Sequence, residues 1–170
     1  MKKDAAGETY TFRLSYIALP LVILLLSVAL TAFFYSRLPE EVAYRFQPDG
    51  SPDKWTGRGA LILWTLLPQL LLTVAAVGVA SGVTAVASRL VKPGSVWIRL
   101  KKIIVLMSNM FVLPQIILFF AMLDIFSYNS YQIHLLPLWV FALIVLVAGG
   151  IILGIFFLQA VVQFWIASKE

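Results

Sequence analysis

Four apolar runs dominate this chain, at roughly residues 16–35, 60–83, 103–126 and 138–166. Crossing a hydrocarbon core takes about 20 helical residues, and each run is long enough. The first, second and fourth contain no Asp, Glu, Lys or Arg, and the third contains only Asp124, near its end. Backbone groups cannot go unpaired in lipid, so each run is expected to be a helix. Of the 170 residues, 61% are hydrophobic and 12% charged. A soluble domain carries about a quarter charged residues, so soluble and disordered classes are excluded. The expected fold is an all-α integral membrane protein, one domain over 1–170. It is a four-helix transmembrane bundle with a structured extracytoplasmic loop between helices 1 and 2. Cysteine is absent, which excludes disulfides, thiol catalysis and Cys-ligated metals.

The net charge is +5. In a membrane protein such an excess reports orientation rather than nucleic-acid binding. Lys2, Lys3 and Arg13, the 88–102 connection (Arg89, Lys92, Arg99, Lys101, Lys102) and Lys169 place nine cations on one side. The 36–59 loop carries four, Arg37, Arg45, Lys54 and Arg58, and the 127–137 loop none. The positive-inside rule then puts both termini in the cytoplasm of a multi-pass plasma-membrane protein, with both loops outside. Trp64 and Trp139 fall near the outer boundary, and Trp97 and Trp165 near the inner one. The first run reads as a retained anchor rather than a signal peptide. It is too long for an h-region, its leader contains Asp4 and Glu8, and no A-x-A site follows.

Residues 36–59 read SRLPEEVAYRFQPDGSPDKWTGRG. Loops longer than about 12–15 residues are uncommon in compact proteins unless functional or disordered. Leu38, Val42, Tyr44, Phe46 and Trp55 can pack onto the bundle rim. Pro39, Pro48 and Pro52 fix φ locally, and Asp49-Gly50 and Pro52-Asp53 are turn dipeptides. Val42, Tyr44 and Phe46 alternate with Ala43 and Arg45, a short extended pattern. The expectation is a small cap over the helix ends. Asp49 and Asp53 would supply two hard ligands, too few for Ca²⁺ beside Arg and Lys. No metal or cofactor is expected.

The run Leu38-Pro39, Arg45-Phe46-Gln47, Gly50, Pro52-Asp53, Trp55 and Arg58, leading into a helix, resembles the domain-of-unknown-function 1648 family. That domain forms the N-terminal part of SdpI-type bacterial immunity membrane proteins. Arg45 stands where the family usually has His, Gln47 where it has Asn, and Arg58 where it has Lys. The resemblance covers about residues 16–75. It implies a bacterial membrane location and a recognition role for Leu38, Pro39, Arg45, Phe46, Gln47, Gly50, Asp53, Trp55 and Arg58. It only weakly implies immunity or signalling, because nothing here matches the second half of SdpI-type proteins.

Within the spans, Leu67-Pro68-Gln69-Leu70-Leu71-Leu72 recurs as Leu113-Pro114-Gln115-Ile116-Ile117-Leu118. At 1.5 Å per residue, Gln69 lies roughly 13 Å below the outer edge and Gln115 roughly 18 Å above the inner one. In a core about 30 Å thick these depths nearly coincide. The expectation is an interhelical Gln–Gln hydrogen bond, with a midplane ligand pocket or a proline hinge as the competing reading. Asp124 lies at the outer edge and is expected to pair with Arg58 or Arg45. Gly78-x-x-x-Gly82 and Gly150-x-x-x-Gly154 suit close helix packing, within the monomer rather than in a dimer, and Gly149-Gly150 could bend the fourth helix. His134, the lone histidine, reads as an interfacial surface residue. The cationic connection should lie on the anionic inner leaflet.

The sequence has no nucleophile–base pair, H-E-x-x-H, G-x-S-x-G or Walker loop, so no enzyme is expected. The leading reading is a protein that binds or senses through the 36–59 loop. Its partners are the lipid bilayer and either an extracytoplasmic peptide or a membrane protein, with no nucleic acid. The alternative is a small transporter or accessory subunit that uses Gln69, Gln115 and Asp124.

Overall fold

The computed structural model describes residues 13–90 and 104–167. A short 3-10 turn, Leu14–Ile17, leads into α1, Ala18–Phe34. A β-hairpin follows, β1 at Glu41–Phe46 and β2 at Pro52–Gly57, and β2 runs directly into α2, Arg58–Leu90. The remaining helices are α3, Val112–Tyr131, and α4, Leu138–Ala167. Four helical segments are long and apolar enough to cross a membrane: Leu14–Phe34, Arg58–Val86, Ile104–Tyr131 and Leu138–Gln159. The N-terminal tail to residue 12, most of the cationic 88–102 connection, Trp97, Lys169 and the Trp165 side chain lie outside what is described.

Three boundaries differ from the sequence reading. The second helix runs from 58 to 90 rather than 60 to 83. The third span is interrupted at Met110 and Phe111, between a helical stretch at 104–109 and α3. The proline ring at 114 crowds the carbonyl four residues back, that of Met110. The Met110 carbonyl instead accepts a 3.3 Å bond from the Leu113 N–H. Pro114 then sits in the first turn of α3, where its missing N–H costs nothing. At its other end α3 continues past Phe126 to Tyr131. It stops at Gln132, whose φ of 58° and 2.7 Å bond to the Tyr128 carbonyl form a left-handed cap. Within the polar stretch 127–131 the hairpin engages Tyr128 and Asn129, which hydropathy could not register.

Helix α1 packs against both α2 and α3. Two buried clusters hold the bundle. One joins Phe34, Leu38, Val42, Leu61, Met122 and Phe126 at the hairpin end. The other joins Tyr16, Ile17, Ala76, Ala80 and Ile104 at the opposite end. Helix α4 lies against α3 through a Phe120–Phe141 stack with centroids 3.8 Å apart. A Cβ added at Gly149 would collide with the Leu113 side chain, so glycine permits that approach. Gly149→Leu is therefore expected to loosen α4 from α3, read as increased cross-linking heterogeneity between introduced cysteines on the two helices. Among the described residues, the monomer packing expected at Gly78, Gly82, Gly150 and Gly154 is not found. A Cβ at any of these would meet nothing within 4 Å. Helix α4 also runs unbroken through Gly149-Gly150.

Candidate functional site at the hairpin cap

The cap begins where α1 ends. Leu38 precedes a proline, which disfavours helical geometry at Leu38. The last carbonyls of α1 lack helical partners and carry the negative end of the helix dipole. Two arginines meet them. Arg37 Nη1 donates to the Phe33 carbonyl at 2.6 Å, with its guanidinium over the Phe33 ring. Arg58 Nη1 donates to the Tyr35 and Leu38 carbonyls at 3.3 and 3.2 Å, with its guanidinium 4.6 Å from the Tyr35 centroid. Arg58 thus ties the start of α2 to the end of α1. Arg58→Leu is expected to cost about 1–2 kcal/mol, measured by thermal unfolding in detergent, with Arg58→Lys recovering part of it.

The turn has the hydrogen-bond pattern of a three-residue hairpin loop. Gly50 N–H donates to the Gln47 carbonyl at 2.9 Å, and Gln47 N–H to the Ser51 carbonyl at 2.8 Å. Pro48 sits first in the loop, and Gly50 takes φ 86°, the left-handed position that favours glycine. Asp49 Oδ1 accepts from Ser51 N–H and Oγ–H at 2.9 and 2.7 Å. Those bonds hold the Asp49 carboxyl below its ordinary value of 3.8. A lowered value means that this contribution is present above about pH 4 and is lost as pH falls through the lowered value.

The expected alternation along β1 fails. Val42 and Ala43 are both fully buried, while Tyr44 is exposed. The register shifts between Ala43 and Arg45, and a bulge there puts consecutive residues inward. Pro52-Asp53, read as a turn dipeptide, opens β2 instead. Trp55, expected on the rim, is 55% exposed. Arg45 Nε lies 3.1 Å from Asp53 Oδ2 across the strands, an exposed pair.

Residues outside the loop do much of the anchoring. Asn129 accepts the Ala43 N–H at Oδ1 and donates from Nδ2 to the Ala43 carbonyl, both at 2.8 Å. Its carboxamide acts as a strand partner to β1. The rings of Phe46 and Tyr128 meet edge-on at 4.7 Å. Asp124 does not pair with Arg58 or Arg45. Its Oδ1 accepts the Leu135 N–H at 2.8 Å, and its Oδ2 lies 3.2 Å from His134 Nδ1. The arginines are already engaged elsewhere, and the chain reversal at Gln132 carries His134 back over α3. Asn129, Tyr128 and His134 were missed as site residues because only the fold brings them to the hairpin. Val42-Ala43 and a lone Asn give no local signal.

The second polar place lies at mid-span. Gln69 and Gln115 are both fully buried. They do meet, but not side chain to side chain. Gln69 Nε2 donates to the Gln115 carbonyl at 3.0 Å, and Gln115 Nε2 to the Gln69 carbonyl at 3.2 Å. Gln115 Nε2 also reaches Thr73 Oγ1 at 2.9 Å and the Pro20 carbonyl at 3.4 Å, so one amide touches three helices. The accepting carbonyls are those of the two glutamines and of Pro20, not the Trp64 and Met110 carbonyls that Pro68 and Pro114 would free. Both Oε1 atoms are buried without a hydrogen-bond partner.

Among the described residues no group of three or more His, Asp or Glu side chains could hold a metal. The arrangement defines a multi-pass membrane protein with a hairpin clamped over one end of its bundle. Residues 22–68 match the family model described as Domain of unknown function (DUF1648). The match runs from within α1 across the hairpin to Pro68 and covers well under half of the chain. Comparison with curated proteins and with solved structures gives no match.

Proposed function

We propose that this chain is a non-enzymatic protein of the bacterial plasma membrane that binds an extracytoplasmic peptide through its hairpin. One observation carries this reading: among the described residues, nothing pairs with the outer edge of β2, which is exposed. The sheet has two strands, and the other side of β1 is occupied at Ala43 by Asn129. Ala43 turns its backbone groups to Asn129, so the opposed pair Ala43–Trp55 is not hydrogen-bonded across the hairpin. Trp55 N–H and C=O therefore face away from β1, where an added extended strand could pair with them. Lys54 and Trp55 flank that edge, and both are exposed. Residues behind the hairpin hold it in place, which leaves Tyr44, Arg45, Lys54 and Trp55 available to a partner. The nine-to-four cation distribution supports an outside location for this end. The DUF1648 match covers the hairpin, and an SdpI-like immunity or signalling role is only weakly implied by the resemblance.

A photo-cross-linker placed at position 55 in intact cells tests the proposal. The expected product is a peptide adduct that falls at least tenfold when Arg45→Ala is added, with membrane insertion intact. Adducts to lipid alone would sink the reading. The second reading, a transporter or accessory subunit, is favoured by the two unpartnered Oε1 atoms at mid-span. It predicts that Gln69→Leu and Gln115→Leu abolish the cellular phenotype while Arg45→Ala and Trp55→Ala preserve it.

A further inference from the structure

His134 joins three parts of the cap. Its Nδ1 lies 3.2 Å from Asp124 Oδ2 on α3, and its Nε2 lies 3.2 Å from the Gly50 carbonyl at the hairpin tip. Its ring stacks on Tyr128 at 4.5 Å and 24°, and stands edge-on to Phe46 at 4.6 Å and 88°. The side chain is about one-third exposed, so protons reach it from solvent.

Both nitrogens face groups that only accept. A carboxylate and a backbone carbonyl have no proton to give. A neutral imidazole carries one N–H, so it can bond Asp124 or Gly50 but not both. The other nitrogen then sets a lone pair against an oxygen. Only the imidazolium donates at both ends. The aromatic rings on either side fix the imidazole plane, so the ring cannot turn to escape that conflict.

We propose that His134 is a proton-operated latch that holds the hairpin tip against α3 when charged and loosens it when neutral. The charged and titratable groups around it are few. Helix α3 presents Asp124 and Tyr128. On the hairpin, Asp49 is turned to Ser51, Arg45 and Asp53 are paired with each other, and Lys54 is exposed. Residues 132–137 contribute no other charged group. Asp124 is thus the carboxylate that faces the ring. Histidine changes charge between about pH 5 and 8, well above the range in which Asp49 acts, so the two effects separate. Sign follows directly: the latch is closed at the acidic end of that interval and open at the alkaline end.

Backbone hydrogen exchange on the full-length protein in lipid nanodiscs tests this without any cap ligand. Protection is read on segment 44–52 at pH 5.5 and pH 8, corrected for the intrinsic exchange rate. The expected result is a roughly tenfold lower protection at pH 8, about one hydrogen bond's worth. In His134→Gln the segment should show no such difference. Equal protection at both pH values in the native chain would overturn the latch, and so would an undiminished difference in His134→Gln. A peptide adduct lost at position 55 with the pH effect retained would reject the binding proposal alone.

Discussion

Asn129→Leu is expected to release the hairpin from the bundle while leaving the four spans inserted. Ala43 is fully buried, and the Asn129 carboxamide satisfies both its N–H and its C=O. Leucine fills a similar volume but offers no polar atom. Two buried backbone groups would then lack partners, each at about 1–3 kcal/mol. Their sum, about 2–6 kcal/mol, is an upper bound, because the strand can lift and find water. Asn129→Asp keeps the acceptor for the N–H but sets a carboxylate against the Ala43 carbonyl, so it should fail to rescue. Hydrogen exchange at Ala43 reads the outcome. Undiminished protection in Asn129→Leu would mean that the clamp contributes nothing.

Phe126→Ala is the other large effect, at about 3–5 kcal/mol. Phe126 is fully buried among Phe34, Leu38, Val42, Leu61 and Met122. Its ring lies 5.7 Å from that of Phe34. This cluster joins α1, α2, α3 and β1, so the cavity left by truncation is shared by four elements and cannot collapse around one. Denaturant unfolding in detergent, followed by circular dichroism, gives the magnitude. Leu143→Ala provides the contrast. Leu143 is 58% exposed on α4, faces lipid in the folded protein, and leaves no cavity when truncated. Its change should be close to zero. If both variants unfolded alike, the cluster would not be a core in any energetic sense.

Much of the architecture was legible in the residues. The four spans could be read because lipid forbids unpaired backbone, which makes length and apolarity sufficient. Leu38-Pro39, Asp49-Gly50 and the extended 42–46 stretch were local signals, and each marks a real feature of the cap. Matching depths were enough to bring Gln69 beside Gln115. The failures share a cause. The bulge after Ala43, the pairing of β2, and the partners of Asp124 depend on what lies across the fold. Hydropathy ended the third helix at Phe126 because it counts polar side chains as water-seeking. Here the hairpin supplies partners for Tyr128 and Asn129 instead. The Gly-x-x-x-Gly spacings misled for the complementary reason, since spacing shows that a close approach is possible and not that a helix is present to make it.

The sequence by itself determined how many times the chain crosses the bilayer and where its proline-rich cap lies, because those properties follow from local composition and one-dimensional spacing. Only the tertiary structure decided that Asn129 completes a strand and that His134 bridges Asp124 to the hairpin tip. Hydrogen bonds between residues about 85 positions apart are set by how helices and hairpin pack, and no local pattern encodes that geometry.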